Sequence, residues 1–280
     1  MKQNQNKKPQ GQYGIIGWPL GHTKSPLLHN WGLKESGLGG AYVPWPTEPA
    51  KLKAFMAEAK ARKIRGVSVT IPHKQAVIPY LDGLTERARA VGAVNTLFWR
   101  EGKLLGDNTD VLGIMAPLAP HKDRLESALV LGAGGAARAA CQALKELGVA
   151  EIAVANRTQA KAEALAKDFG LAAVPWEERA GRAWTLIVNT TPLGMLGDHV
   201  DESPWPADGF AKVSLVFDMV YNPVRTRLIQ DAQAAEVACI SGLNMFLHQG
   251  LAQFEIWTGK RLDEKRARQL LMADMALTGG

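Results

Sequence analysis

Short apolar runs alternate with amphipathic stretches along most of the chain, the pattern of strands alternating with helices. In the first half, residues 13–16 form an apolar run that stops at Gly17, and a helical stretch runs from Pro26 to about residue 36. Ser25 stands where an N-cap belongs, with Pro26 at the first helical position and Gly37 as the stop. Strands over 41–45 and 64–69 flank a helical stretch at 48–62, and a further helix is predicted over 85–91. The next strand carries Gly92-Ala93-Val94-Asn95-Thr96, and Glu101-Gly102 reads as a hairpin turn. Asn108 or Thr109 would cap the following helix, with Asp110 near its start.

The second half repeats the alternation more regularly. Strands are predicted at 128–131, 151–155, 184–189 and 213–217, with a short one ending at residue 240. Helices are predicted to residue 147, over 159–169, from Gly242 to 258 with Gly259 as the stop, and over 263–275. Such alternation defines an α/β chain whose first lobe has a mostly parallel sheet.

The run at 128–131 leads straight into Gly132-Ala133-Gly134-Gly135-Ala136-Ala137, and a helix follows. In that context the glycines have a physical purpose. Gly132 permits the strand-to-helix turn, Gly134 lets a pyrophosphate approach the backbone, and Ala137 allows close helix–strand packing. The helix N-terminus offers unbonded N–H groups and the positive end of a dipole. We therefore expect a Rossmann-type dinucleotide-binding domain over 115–243, inserted in a lobe made of 11–114 and 244–280. Residues 1–10 would be a flexible tail.

The residues after the second strand of this unit bear on which dinucleotide. An NAD site usually places Asp or Glu there to hold the ribose 2′-hydroxyl. Here the place holds Asn156-Arg157-Thr158, with Lys161 one turn on. A guanidinium, a hydroxyl and an ammonium bind a 2′-phosphate, which a carboxylate would repel. NADP is the expected cofactor, although a solvated polar helix start is the alternative reading of the same residues.

Bulk properties narrow the partners. Hydrophobic residues make up 46% of the 280 and charged residues 21%, the balance of a globular protein. The net charge is +6, of which Lys2, Lys7 and Lys8 supply three, so that the rest of the chain carries +3. That is too little to suggest nucleic acid, and an anionic small molecule accounts for it. No run of 18 apolar residues predicts a membrane span. Cys141 and Cys239 lack metal-ligand spacing and read as reduced residues of a cytoplasmic protein. No metal site is expected.

Several loops carry chemistry. Thr23, Lys24 and Ser25 stand in a long loop after the first strand, where binding residues concentrate. Lys74 falls in the first turn of the helix after Pro72, where the macrodipole disfavours a cation. Local rules are broken most often at functional sites, though a solvated lysine accounts for the position as well. Asn189-Thr190-Thr191-Pro192-Leu193-Gly194-Met195 follows a strand at the end where α/β ligands sit.

Taken in order, these segments resemble the shikimate dehydrogenase family over nearly the whole chain. The family's substrate loop, glycine then His-Ser-x-Ser-Pro, appears as Gly17 followed by His22-Thr23-Lys24-Ser25-Pro26. Its Asn-Val-Thr-x-Pro-x-Lys motif appears as Ser68-Val69-Thr70-Ile71-Pro72-His73-Lys74. Gly92-Ala93-Val94-Asn95-Thr96, Gly106-Asp107-Asn108-Thr109-Asp110, the fingerprint, Asn156-Arg157-Thr158, the segment from Asp218 to Pro223 and Gln249 match as well.

The resemblance implies NADPH-dependent, reversible reduction of 3-dehydroshikimate to shikimate, on the way to chorismate and the aromatic amino acids. It implies Lys74 and Asp110 as the acid/base pair. Thr23 and Ser25 would hold the substrate carboxylate, with Tyr221 nearby, and Thr70, Asn95, Asp110 and Gln249 would hold the ring hydroxyls. On the cofactor side it implies Gly132, Ala133, Gly134, Gly135, Ala136, Asn156, Arg157, Thr158 and Lys161, joined by Thr190, Met219, Gly242 and Met245. A monomer or homodimer is expected.

Four positions depart from the family pattern: Thr23 for serine, Ser68 for asparagine, Val111 for glycine and Asn244 for glycine. Asn244 can take a left-handed conformation, but it brings a side chain. Two other functions remain open. One is a quinate/shikimate dehydrogenase, against which Ser25 and Asn156-Arg157 weigh. The other is a non-catalytic NADPH-binding sensor, against which the retention of Lys74 and Asp110 weighs.

Overall fold

The computed structural model describes residues 13–21 and 23–277. The polar leader 1–10 and His22 of the substrate-loop motif lie outside the described residues. The chain forms two compact units. The first comprises the described residues up to Thr109 together with Gly250–Leu271, and the second comprises Asp110–Gln249 with the described residues from Met272.

In the first unit, β1 (Tyr13–Gly17), α1 (Ser25–Glu35), β2 (Tyr42–Pro46), α2 (Leu52–Ala61) and β3 (Gly66–Val69) alternate. There follow the one-turn α3 (His73–Ala76), the two-residue β4 (Gly83–Leu84), α4 (Glu86–Val91), β5 (Thr96–Arg100) and β6 (Lys103–Asp107). The sheet order is β2-β1-β3-β5-β6-β4. β1 pairs parallel with β2 and β3, whereas β5 runs antiparallel to both β3 and β6. The antiparallel pair follows from the turn: Glu101 and Gly102 both take positive φ, 51° and 75°, which matches the right-handed strand twist of a tight hairpin. Apolar side chains alternate onto the core, with Ile16, Val67, Val69, Leu97 and Leu104 packed on Met56 and Val77.

The second unit contains α5 (Asp110–Leu118), β7 (Ser127–Leu131), α6 (Gly135–Glu146), β8 (Glu151–Ala155), α7 (Gln159–Phe169) and β9 (Ala172–Val174). It continues through β10 (Leu186–Asn189), β11 (Leu215–Asp218), α8 (Arg227–Ala234), β12 (Ala238–Ile240) and the start of α9 (Gly242–Thr258). Its sheet has the order β12-β11-β10-β7-β8-β9, and every pairing is parallel. Central strands buried on both faces explain the unbroken apolar runs of β7 and β10. Trp184 and Trp205 are almost fully buried in this core; an aromatic of this size contributes about 1.5–3 kcal/mol or more by leaving water. Residues beyond α9 form α10 (Glu264–Leu277). No described helix is long and apolar enough to cross a membrane.

Local expectations needed correction. Lys24, not Ser25, stands at the N-cap of α1, and the Thr23 hydroxyl accepts the Ser25 N–H at 3.3 Å. Gly92 is the left-handed C-cap of α4, so the strand begins only at Thr96. The edge strands β4 and β9 were not expected, because runs of two and three residues leave no periodic signal.

Candidate functional site

In the first unit the C-terminal ends of β1 and β3 are tied together. The Thr70 N–H donates to the Ile16 carbonyl at 2.9 Å, and the Trp18 N–H donates to the Ile71 carbonyl at 2.9 Å. The Val69 N–H donates to the Asn95 carbonyl at 2.8 Å, and the Val94 N–H to the Lys74 carbonyl at 2.7 Å. These bonds gather Thr70, Lys74 and Asn95 around one end of the sheet, at the end of β1 from which the loop bearing Thr23 and Ser25 departs. Thr23 and Ser25 face one another, with the Thr23 hydroxyl donating to Ser25 Oγ at 3.2 Å. Since Ser25 caps no helix, its buried hydroxyl is left to other work. The helix carrying Lys74 is a single turn, too short for the macrodipole that its position suggested. Lys74 is therefore placed by the Thr70–Val77 turn and its carbonyl bond.

Asn95 is buried with a specified amide. Its Oδ1 accepts the Thr109 N–H at 2.7 Å and the Thr96 hydroxyl at 2.7 Å, while its Nδ2 donates to Thr109 Oγ1 at 3.0 Å. Because a backbone N–H only donates, the amide orientation follows from the network. The preceding residues act as scaffold. Asp107 accepts from Arg87 through Nε at 3.1 Å and Nη2 at 2.7 Å, and its Oδ1 also accepts the Asn108 N–H at 2.7 Å. Asn108 donates to the Ala93 carbonyl at 2.9 Å. Burial of Asp107, Asn108 and Thr109 thus serves to hold the turn that delivers Asp110.

The second unit holds the remaining site residues. Asp110 is buried and opens α5, a position where the helix dipole favours a carboxylate. α5 packs on α9 at Gly113, where a Cβ would lie 2.7 Å from the Met245 carbonyl and 3.0 Å from Gln249 Cβ. Tyr221 and Phe246 rings lie 4.8 Å apart. Gly242 is equally close to Met219, whose carbonyl would lie 2.4 Å from an added Cβ. Met219 and Tyr221, just past β11, therefore pack on the first turns of α9, the helix that carries Gly242, Met245 and Gln249. Asn244 has a helical backbone in the first turn of α9, and its amide folds back onto the Ser241 carbonyl at 3.3 Å. The left-handed conformation considered for it is not used, so the departure from glycine adds a side chain without strain.

Asp218, at the end of β11, is fully buried. Burial pushes its carboxyl up to about 6, opposed by hydrogen bonds from Thr226, the Val220 N–H and Asn189. That cluster pins the 218–226 segment on which Met219 and Tyr221 stand. Sequence reasoning gave Asp218 no such role, since nothing in its spacing reveals burial.

The cofactor side lies at the C-terminal ends of β7, β8 and β10, where strand order reverses about β7. Gly132 has φ +114°, and Gly134 is exposed in extended backbone with no atom within 4 Å of where a Cβ would be. A pyrophosphate fits that open cradle beside Ala133, Gly135 and Ala136 at the start of α6, whose first N–H groups have no intrahelical acceptor. At the end of β8, Arg157, Thr158 and Lys161 are exposed. Thr158 is the N-cap of α7 yet makes no side-chain cap bond, and Asn156 Nδ2 instead donates to the Thr158 carbonyl at 3.0 Å. A 2′-phosphate fits these donors.

A glycine turn at the switch point of an all-parallel six-stranded sheet makes the second unit a dinucleotide-binding domain of the Rossmann type. The comparisons identify the family. The chain matches the shikimate dehydrogenase substrate binding domain over residues 15–97, shikimate / quinate 5-dehydrogenase over 120–180, and the shikimate 5'-dehydrogenase C-terminal domain over 242–272. It is 51% identical to a shikimate dehydrogenase (NADP(+)) of Maridesulfovibrio salexigens, over 95% of this chain and 97% of that one. A second, from Oleidesulfovibrio alaskensis, is 48% identical over 97% and 98%. Among solved structures, the shikimate 5-dehydrogenase of Thermus thermophilus in complex with NADP(H) and shikimate matches with a TM-score of 0.83 at 38% identity, over 93% and 98% of the two chains. The chain belongs to the shikimate dehydrogenase family.

Proposed function

We propose that the chain is an NADP-dependent shikimate dehydrogenase, an oxidoreductase that interconverts 3-dehydroshikimate and shikimate. The observation that supports the reading is that Thr70, Lys74 and Asn95 stand at the linked ends of β1 and β3, with Thr23 and Ser25 paired in the loop that leaves β1. The first unit takes the substrate and the second takes NADP. The Thr23 and Ser25 hydroxyls donate to the substrate carboxylate, with Tyr221 adding a phenol on that side. Thr70, Asn95, Asp110 and Gln249 hold the ring hydroxyls.

NADP, when bound, supplies a two-electron carrier. Gly132–Ala136 hold its pyrophosphate, Asn156, Arg157, Thr158 and Lys161 its 2′-phosphate end, and Thr190, Met219, Gly242 and Met245 its remaining length. Lys74 moves the proton. In reduction its ammonium donates to the substrate oxygen as negative charge develops there; in oxidation its amine accepts the hydroxyl proton. Asp110 holds that ammonium and restores its proton.

The decisive test is the reduced-nicotinamide absorbance after mixing the protein with shikimate or quinate and NADP or NAD. Growth of the band with shikimate and NADP above the other three pairs supports the reading. Preference for quinate with NAD would replace it, and no growth with any pair would leave a binding protein.

A further inference from the structure

One residue of α9 has chemistry that the helix does not need. Gln253 is 2% exposed and sits in the first unit beside Phe254, yet every polar atom of its amide has a partner. Its Oε1 accepts the Ser68 hydroxyl at 2.8 Å. Its Nε2 donates to the Asn95 carbonyl at 3.0 Å and to the Thr96 hydroxyl at 3.0 Å. A buried amide is stabilising only when fully bonded, and an apolar side chain would fill the same space with no such demand.

The partners show what the amide does. Ser68 of β3 and Thr96 of β5 are direct cross-strand neighbours in the antiparallel ladder. Gln253 bonds to both hydroxyls and so bridges the pair. The Ser68 hydroxyl in turn accepts from the Tyr42 phenol at 2.7 Å, and Asn30 clamps the Tyr42 backbone at both N–H and carbonyl. On the other side, the Thr96 hydroxyl, having accepted from Gln253, donates to Asn95 Oδ1. That oxygen also receives the Thr109 N–H, one residue before Asp110. A continuous relay therefore runs from Tyr42 through Ser68, Gln253 and Thr96 to Asn95.

Ser68 stands where the family motif has asparagine. A carboxamide at that position faces Thr96 across the ladder and has the length to reach its hydroxyl without help. We propose that Gln253 is a positioning residue which supplies, from α9, the amide that Ser68 lacks, and thereby sets the Asn95 side chain for the substrate. The inference rests on the proposed function, in which Asn95 holds a ring hydroxyl.

Steady-state kinetics of four variants test it: Gln253→Ala, Gln253→Met, Ser68→Asn and Ser68→Asn/Gln253→Ala. Gln253→Met keeps the volume and serves if the alanine variant does not fold. Loss of the bridge should raise the shikimate KM about tenfold, the effect of one misaligned hydrogen bond, while the NADP KM stays within about twofold. Ser68→Asn crowds the bridge in the parent and should raise the shikimate KM, yet it should restore that KM in the Gln253→Ala background. A purely structural glutamine would lower the melting temperature and move both KM values together or neither. An active parent whose Gln253 variants keep their shikimate KM, or whose double variant is no better than Gln253→Ala, overturns the inference alone. A parent that does not oxidise shikimate with NADP overturns the proposed function and the inference with it.

Discussion

Thr190 stands over Gly132: its hydroxyl donates to the Leu131 carbonyl at 2.7 Å, and a Cβ on Gly132 would lie 2.4 Å from that hydroxyl oxygen. The turn is closed twice, by φ +114° and by a neighbour held in place by its own hydrogen bond. Gly132→Ala should lower stability by about 1–3 kcal/mol through backbone strain alone, with NADP affinity falling at least about tenfold as the cradle shifts. Thr190→Ala added to it should recover part of the stability. Chemical denaturation and fluorescence titration with NADP measure both effects; a Gly132→Ala protein with parental affinity would remove the turn from the cofactor site.

In the proposed function Arg157 and Thr158 set the choice of cofactor. Arg157→Ala removes one charge-assisted contact to the 2′-phosphate, worth about 10–100-fold in affinity. NADPH binding should weaken by that amount and NADH binding by less than about twofold. Equal losses for the two cofactors would place Arg157 elsewhere.

Lys74 and Asp110 act as a unit in the proposed chemistry. General acid–base groups contribute about 10²–10⁴-fold, so Lys74→Ala should lower kcat by that order with little change in the shikimate KM. Asp110→Asn should do the same, and the double variant should lose far less than the product of the two effects. A Lys74→Ala protein with most of its turnover would leave the proton to water and end this mechanism.

His29 predicts an acid limb of stability. It stacks on Tyr42 with ring centroids 4.5 Å apart, and burial pushes its pKa down to about 3 against a partly compensating Gln253 hydrogen bond. Its folded pKa is lowered, so below about 6.5 the unfolded chain takes up a proton that the folded chain refuses. Stability from this residue is whole above pH 6.5 and falls by up to about 1.4 kcal/mol per pH unit toward pH 3. His29→Phe keeps the stacked ring and should flatten that slope. Asp218, with its pKa raised, gives the opposite slope between about pH 6 and 4 in both proteins and cancels from the difference. Denaturation midpoints of the two proteins that run parallel from pH 7 to 4 would show that His29 is not the titrating group.

The fingerprint was legible because a glycine turn between an apolar strand and a helix can be read residue by residue. β7, α6 and β8 appear within a residue or so of expectation. The substrate side was legible only through motif order, because its geometry depends on bonds between strands distant in sequence. Asn95 and Thr109 meet across 14 positions, and Ser68 and Gln253 across 185. Gln253 left one faint signal, an uncharged polar residue among apolar neighbours in a long helix. Ser25 misled because a serine before proline is an ordinary N-cap, and the competing Thr23 hydroxyl is invisible to that rule.

The discontinuity of the first unit bears on how the chain is made. Tyr13, Ile15, Leu33 and Tyr42 share a core cluster with Phe254, and the Trp257 indole donates to the Leu97 carbonyl at 2.9 Å. These partners leave the ribosome roughly 150 residues after the first unit's strands, a delay of about 8–30 s at about 5–20 residues per second. Within that interval all of Asp110–Gln249 is synthesised, so the first unit completes its core only after the second unit's strands have been made. Until then the cluster of Tyr13, Ile15, Leu33 and Tyr42 lacks its Phe254, and the Leu97 carbonyl lacks the Trp257 indole.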